Sequence, residues 1–87
     1  MANKSYVVVV TDKVKKTILK LPSAIASRIE NALLLLEENP RPPDCKKLKG
    51  RDGYRIRVGD YRIIYEIEDK VLKVIVLDVG HRKEIYD

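Results

Sequence analysis

Arg55, Arg57 and Arg62 carry planar guanidinium groups suited to bidentate phosphate contact, and the surrounding sequence sets them close together. It reads Tyr54-Arg55-Ile56-Arg57-Val58, then Gly59-Asp60, then Tyr61-Arg62-Ile63-Ile64-Tyr65. Two alternating apolar/polar runs around a two-residue, glycine-containing loop signal a β-hairpin. That loop length pairs Val58 with Tyr61, Arg57 with Arg62, Ile56 with Ile63 and Arg55 with Ile64. The 57–62 rung is then of the non-hydrogen-bonded type, whose side chains lie closest. Like charges directly opposite one another destabilise a sheet, so a bound polyanion is the expected compensation. With Ile56, Val58, Ile63, Tyr65 and Ile67 turned to the core, alternation puts the three arginines on the opposite face. Glu66, two residues beyond Ile64, falls on their side and is the candidate partner for one of them.

A second cluster closes the chain, Gly80-His81-Arg82-Lys83-Glu84-Ile85-Tyr86. His81 is the only histidine and so the only side chain that titrates near neutrality when unperturbed. Taken alone it is either a general acid or base or an ordinary surface residue. Tyr86 offers a stacking surface for a base or a cap on the sheet. With 18 basic and 13 acidic residues the net charge is +5, which favours acidic partners such as RNA, DNA or an acidic protein. One cysteine, Cys45, excludes an intramolecular disulfide and a paired-cysteine metal site. The N-terminal apolar run is too short for a signal peptide or a membrane span, and a cytoplasmic protein with no membrane partner is expected.

The elements that must position these groups fit one small domain over residues 1–87, which buries only about 60–65% of its unfolded surface. Phe and Trp are absent, so Val, Ile, Leu and some of the five Tyr make the core. Tyr6–Val10 reads as a strand buried on both faces, followed by an N-cap at Thr11 or Asp12. Val14, Ile18 and Leu21 recur at helical spacing, with Lys13, Lys16 and Lys20 on the other side. Pro22 suits the first turn of a second helix, carried by Ile25, Ile29, Ala32 or Leu33, and Leu36 and stopped by Asn39-Pro40. The Leu33–Leu36 run is wider than one stripe needs, which fits a sandwiched helix or one that meets a partner. Residues 41–53 form a loop, and strands follow at about 53–58, 60–68 and 71–79 by pattern. Gly80 ends the last strand, leaving 81–87 as a tail or a single helical turn. The expected fold is α+β, β-α-α-β-β-β, a two-helix hairpin packed on one face of a small, mainly antiparallel sheet.

The chain from Lys47 onward resembles the RelE/ParE superfamily of type II toxin–antitoxin toxins, specifically its RelE-like branch. The matching stretches are Lys47-Leu48-Lys49-Gly50, Tyr54–Val58, Asp60–Tyr65 and Val79–Tyr86, and the two-helix hairpin also fits. RelE-like toxins are endoribonucleases that cut mRNA in the ribosomal A site until a cognate antitoxin silences them. The resemblance implies that Arg62 contacts the scissile phosphate, that Arg82 is a second catalytic arginine, and that Tyr86 stacks on a base. It adds Arg55, Arg57, Lys47 and Lys49 as RNA-binding residues and places His81 among the catalytic ones. The best-known member has lysines at the positions of Arg55 and Arg57, and arginine keeps that charge without readily serving as a general base. The implied reaction transfers the scissile phosphoryl group to the adjacent 2′-hydroxyl without metal or other cofactor, and leaves the general base open. The implied partners are an acidic, RelB-like antitoxin, the ribosome and mRNA.

Two other readings share this pattern. One is a ParE-like inhibitor of DNA gyrase on the same fold, a branch that generally lacks the full set of catalytic residues. The other is a catalytically silent RNA-binding module, which binds RNA in a salt-sensitive way and never cuts it.

Overall fold

The computed structural model describes residues 5–81 and 83. Its elements are β1 (Val7–Val10), α1 (Asp12–Leu19), α2 (Ser23–Glu38), β2 (Lys46–Lys47), β3 (Tyr54–Val58), β4 (Tyr61–Glu68) and β5 (Lys73–His81), with a 3-10 turn at Asp69–Val71 before β5. The five strands form one sheet in the order β1-β5-β4-β3-β2. β1 lies parallel to β5, and the remaining neighbours are antiparallel. The α+β arrangement is the expected one, with one added strand.

Local chemistry explains the helix ends. Thr11 holds an extended backbone and its hydroxyl accepts from the Val14 amide, an N-cap. Pro22 precedes the first turn of α2 and Asn39 closes it in an extended conformation. Both helices lie on one face of the sheet. Val14, Ile29, Leu33 and Leu36 meet Ile56, Ile63, Tyr65, Val74, Val76 and Val79 there in the main core.

Three expectations change. Val7–Val10 is an edge strand and is not buried on both faces: Val7 is 62% and Val9 40% exposed, while Val8 and Val10 pack on the core. A run of four valines cannot reveal this, since it carries no alternation to read. Residues 41–53 are not all loop, because Lys46–Lys47 adds a short strand against β3. Gly80 does not break the last strand. It pairs with Arg62, and β5 continues to His81.

Between Ile64 and Tyr65 the β4–β5 register slips, so that Ile64 opposes Asp78 and Tyr65 opposes Val76. Leu77 is the extra residue of this bulge. It packs with Leu48 over Ile64, forming a second, smaller apolar cluster. Ile64 is fully buried on the face away from the helices because the 46–53 segment folds over it.

A polar clasp ties the far end of the sheet together. Arg41 reaches both oxygens of Asp69 at 3.1 and 2.9 Å, and the Tyr6 hydroxyl donates to Asp69 at 2.7 Å. Arg41 also donates through Nε to the Tyr54 hydroxyl at 3.3 Å. The Arg41 hydrogen bonds hold the Asp69 carboxyl down at about 2, helped by Tyr6. Tyr65, pushed up chiefly by burial, donates its hydroxyl to the Pro40 carbonyl at 2.7 Å.

Candidate nucleic-acid interface

The β3–β4 hairpin has the register expected from its loop length, with Arg57 opposite Arg62 and Arg55 opposite Ile64. Gly59 occupies the left-handed region at φ +59, which a two-residue hairpin turn requires. Ile56 and Ile63 form the intervening rung and are buried under the helices. Alternation therefore directs Arg55, Arg57 and Arg62 to the face that the helices leave uncovered. On its other side Arg62 is paired with Gly80, which carries no side chain.

Strand β2 adds a cation that pattern reading missed. Lys46 pairs with Arg55, so it shares the arginine face. Lys46, Arg55, Arg57 and Asp44 line a shallow cavity of about 130 Å³. Asp44 supplies a carboxylate at this face, where the sequence offered only Glu66. The signal was available in principle: alternation across Lys46-Lys47 would have separated the two lysines, had the pair been recognised as a strand.

Lys47 falls outside this group. It pairs with Tyr54 and lines a separate groove of about 350 Å³ with Arg41, Glu66 and Glu68. Glu66 borders that groove as well. Lys49 is exposed in the turn beyond Leu48.

His81 is also apart from the arginines. It pairs with Tyr61, not with Arg62. Its ring meets the Tyr61 ring edge-on, with centroids 5.5 Å apart, and Tyr61 packs against the main core. The imidazole is therefore on the helix-covered face, opposite the guanidinium groups. Arg82 and Tyr86, the other two site residues implied by the resemblance, lie outside the described residues. Among the described residues no group of three or more His, Cys, Asp or Glu side chains is placed to hold a metal ion.

The arrangement is a cationic face built on strands, with guanidinium groups on adjacent strands and an ammonium group next to them. Such a face can grip successive phosphates and stabilise charge that develops on one of them.

Comparison with known proteins identifies the lineage. The profile of the family described as the ParE toxin of the type II toxin–antitoxin system parDE matches residues 8–86. Toxin RelE3 of Methanocaldococcus jannaschii is 40% identical over 80 residues, covering 83% of this chain and 85% of that protein. The mRNA interferase toxin RelE of Escherichia coli is 31% identical over 77 residues, covering 77% and 75%. The archaeal RelE–RelB complex of Pyrococcus horikoshii contains a chain that superposes with a TM-score of 0.83 at 33% identity, covering 93% of this chain and 99% of that one. Sequence and fold agree over nearly the whole length, and the chain belongs to the RelE/ParE family of type II toxin–antitoxin toxins.

Proposed function

We propose that this protein is a RelE-type toxin that cuts mRNA in the ribosomal A site and is held silent by an acidic, RelB-like antitoxin. The observation that carries the reading is the Arg57–Arg62 rung on the sheet face away from the helices, extended by Arg55 and Lys46. An E. coli relative bears the name mRNA interferase, and the P. horikoshii relative was solved with RelB.

In this reaction the 2′-hydroxyl attacks the adjacent phosphorus and the 5′-oxygen of the next nucleotide leaves. The products are a 2′,3′-cyclic phosphate and a 5′-hydroxyl end. Arg62 and Arg82 stabilise the extra negative charge of the transition state. Arg55, Arg57 and Lys46 hold the flanking phosphates, and Tyr86 stacks on a base. The ribosome completes the orientation of the substrate, which places the protein in the cytoplasm. The antitoxin covers the cationic face with acidic residues and the exposed Val7, Leu19, Leu34 and Leu35 with apolar ones.

The test maps mRNA 5′ ends in a translation reaction, with and without ribosomes, for wild type and the Arg62→Ala/Arg82→Ala double variant. Cuts at A-site codons that need both the ribosome and the two arginines are expected, with cyclic phosphate at the upstream ends. Cuts by the double variant at the wild-type rate would overturn the assignment. The family's ParE description keeps gyrase as the second target, and it predicts intact mRNA with stalled gyrase–DNA complexes.

A further inference from the structure

His81 stands one strand position beyond Gly80, the residue paired with Arg62, and this single step turns it to the other side of the sheet. A phosphate gripped by Arg62 and Arg57 has the sheet between itself and the imidazole. Thr17 and Leu21 from the helical layer, with Tyr61 and Asp78, line the cavity of about 320 Å³ that His81 borders. The ring has a different task there. Its Nδ1 accepts the backbone N–H of Lys83 at 3.2 Å.

A side chain that accepts from the amide two residues ahead makes the closure of an Asx turn, usually formed by Asn or Asp. A ring nitrogen that accepts carries no proton, so this bond selects the tautomer protonated at Nε2. The bond spans one residue. It therefore ties Lys83 to the end of β5, while the edge-on Tyr61 contact fixes the ring itself.

We propose that His81 is a positioning residue, which ties Lys83 back to the end of β5 by accepting its amide and exchanges no proton with the substrate. The inference rests on the nuclease reading above for its effect on cleavage, but not for the turn.

Single-turnover cleavage on programmed ribosomes by wild type, His81→Asn, His81→Gln and His81→Ala tests it. The Asn side-chain oxygen takes the place of Nδ1, whereas that of Gln takes the place of Nε2. His81→Asn should cut within about threefold of wild type, and His81→Ala and His81→Gln should fall by about tenfold, the scale of one lost hydrogen bond. Equal impairment of the Asn and Ala variants would restore the acid–base role and overturn the proposal, as would an Ala variant that cuts like wild type. Nitrogen NMR of the free protein reads the turn without any cleavage: Nδ1 should be unprotonated and Nε2 protonated. The Lys83 amide should be slow to exchange, faster in the Ala variant and slow again in the Asn variant. A neutral ring protonated at Nδ1 would overturn the proposal. If wild type cuts nothing while this signature is present, the nuclease reading fails, and the role of His81 in cleavage fails with it.

Discussion

Arg57 and Arg62 occupy one rung of the β3–β4 hairpin, two like charges directly opposite on the face of the sheet away from the helices. Sheet energetics disfavours this pairing and phosphate binding favours it, so stability and function should separate here. Arg57→Thr should raise stability by about 0.5 kcal/mol, from a cross-strand pair without repulsion and a β-branched residue on the strand. The same change should weaken RNA binding and lower its salt slope by about 1. Urea denaturation and RNA titration at several salt concentrations measure the two effects.

Lys46 and Lys47 are neighbours in sequence that serve different surfaces. Lys46 lines the cavity with Arg55 and Arg57, and Lys47 lines the groove with Arg41 and Glu66. Lys46→Ala should reduce RNA affinity by about threefold to tenfold at moderate salt, the loss of one phosphate contact. Lys47→Ala should change it less than twofold, roughly the level of a screened, distant charge. Equal losses from the two substitutions would count against the strand register proposed as the basis of the interface.

Asp69 makes stability depend on acid pH. Its folded-state pKa of about 2 lies below the unfolded value of roughly 3.9, so the folded state favours the ionised carboxylate. The contribution is complete above the unfolded value and disappears as pH falls through the folded one. The stability difference between wild type and Asp69→Asn should thus be constant from about pH 7 to 5 and shrink between about 4 and 2. Added salt should also shrink it, because both partners of the Arg41–Asp69 pair are about half exposed. Denaturation midpoints over that pH series provide the check.

Gly50 and Gly53 both have positive φ, at +73 and +122, but their surroundings differ. A Cβ on Gly50 would meet open space, whereas one on Gly53 would lie 3.0 Å from Leu48 Cδ1 and 3.1 Å from the Tyr65 carbonyl oxygen. Gly50→Ala should cost about 1 kcal/mol, the conformational penalty alone. Gly53→Ala should cost about 2–4 kcal/mol, since it also crowds the backbone. It should lift Leu48 from Ile64 as well, visible as faster amide exchange at Leu48, whose N–H donates to the Gly53 carbonyl at 3.0 Å.

The sequence alone determined the hairpin, the helix ends and the face of the arginines. Each is a local matter: a two-residue loop fixes the register of Arg57 against Arg62, Thr11 or Asp12 and Asn39 flank periodic apolar runs, and alternation separates Ile56 and Ile63 from their charged neighbours. The tertiary structure decided what depends on partners distant along the chain. Strand order put Val7–Val10 at an edge with Val7 and Val9 exposed, which their β-branched character could not disclose. The pairing of residues 46–47 with β3 chose Lys46 for the arginine face over Lys47. The bulge at Leu77 and the continuation of β5 through Gly80 set His81 beside Tyr61, on the side away from Arg62. Motif order placed His81 next to Arg82 along the chain, but which face of the sheet His81 meets follows from register, and register is a property of two strands.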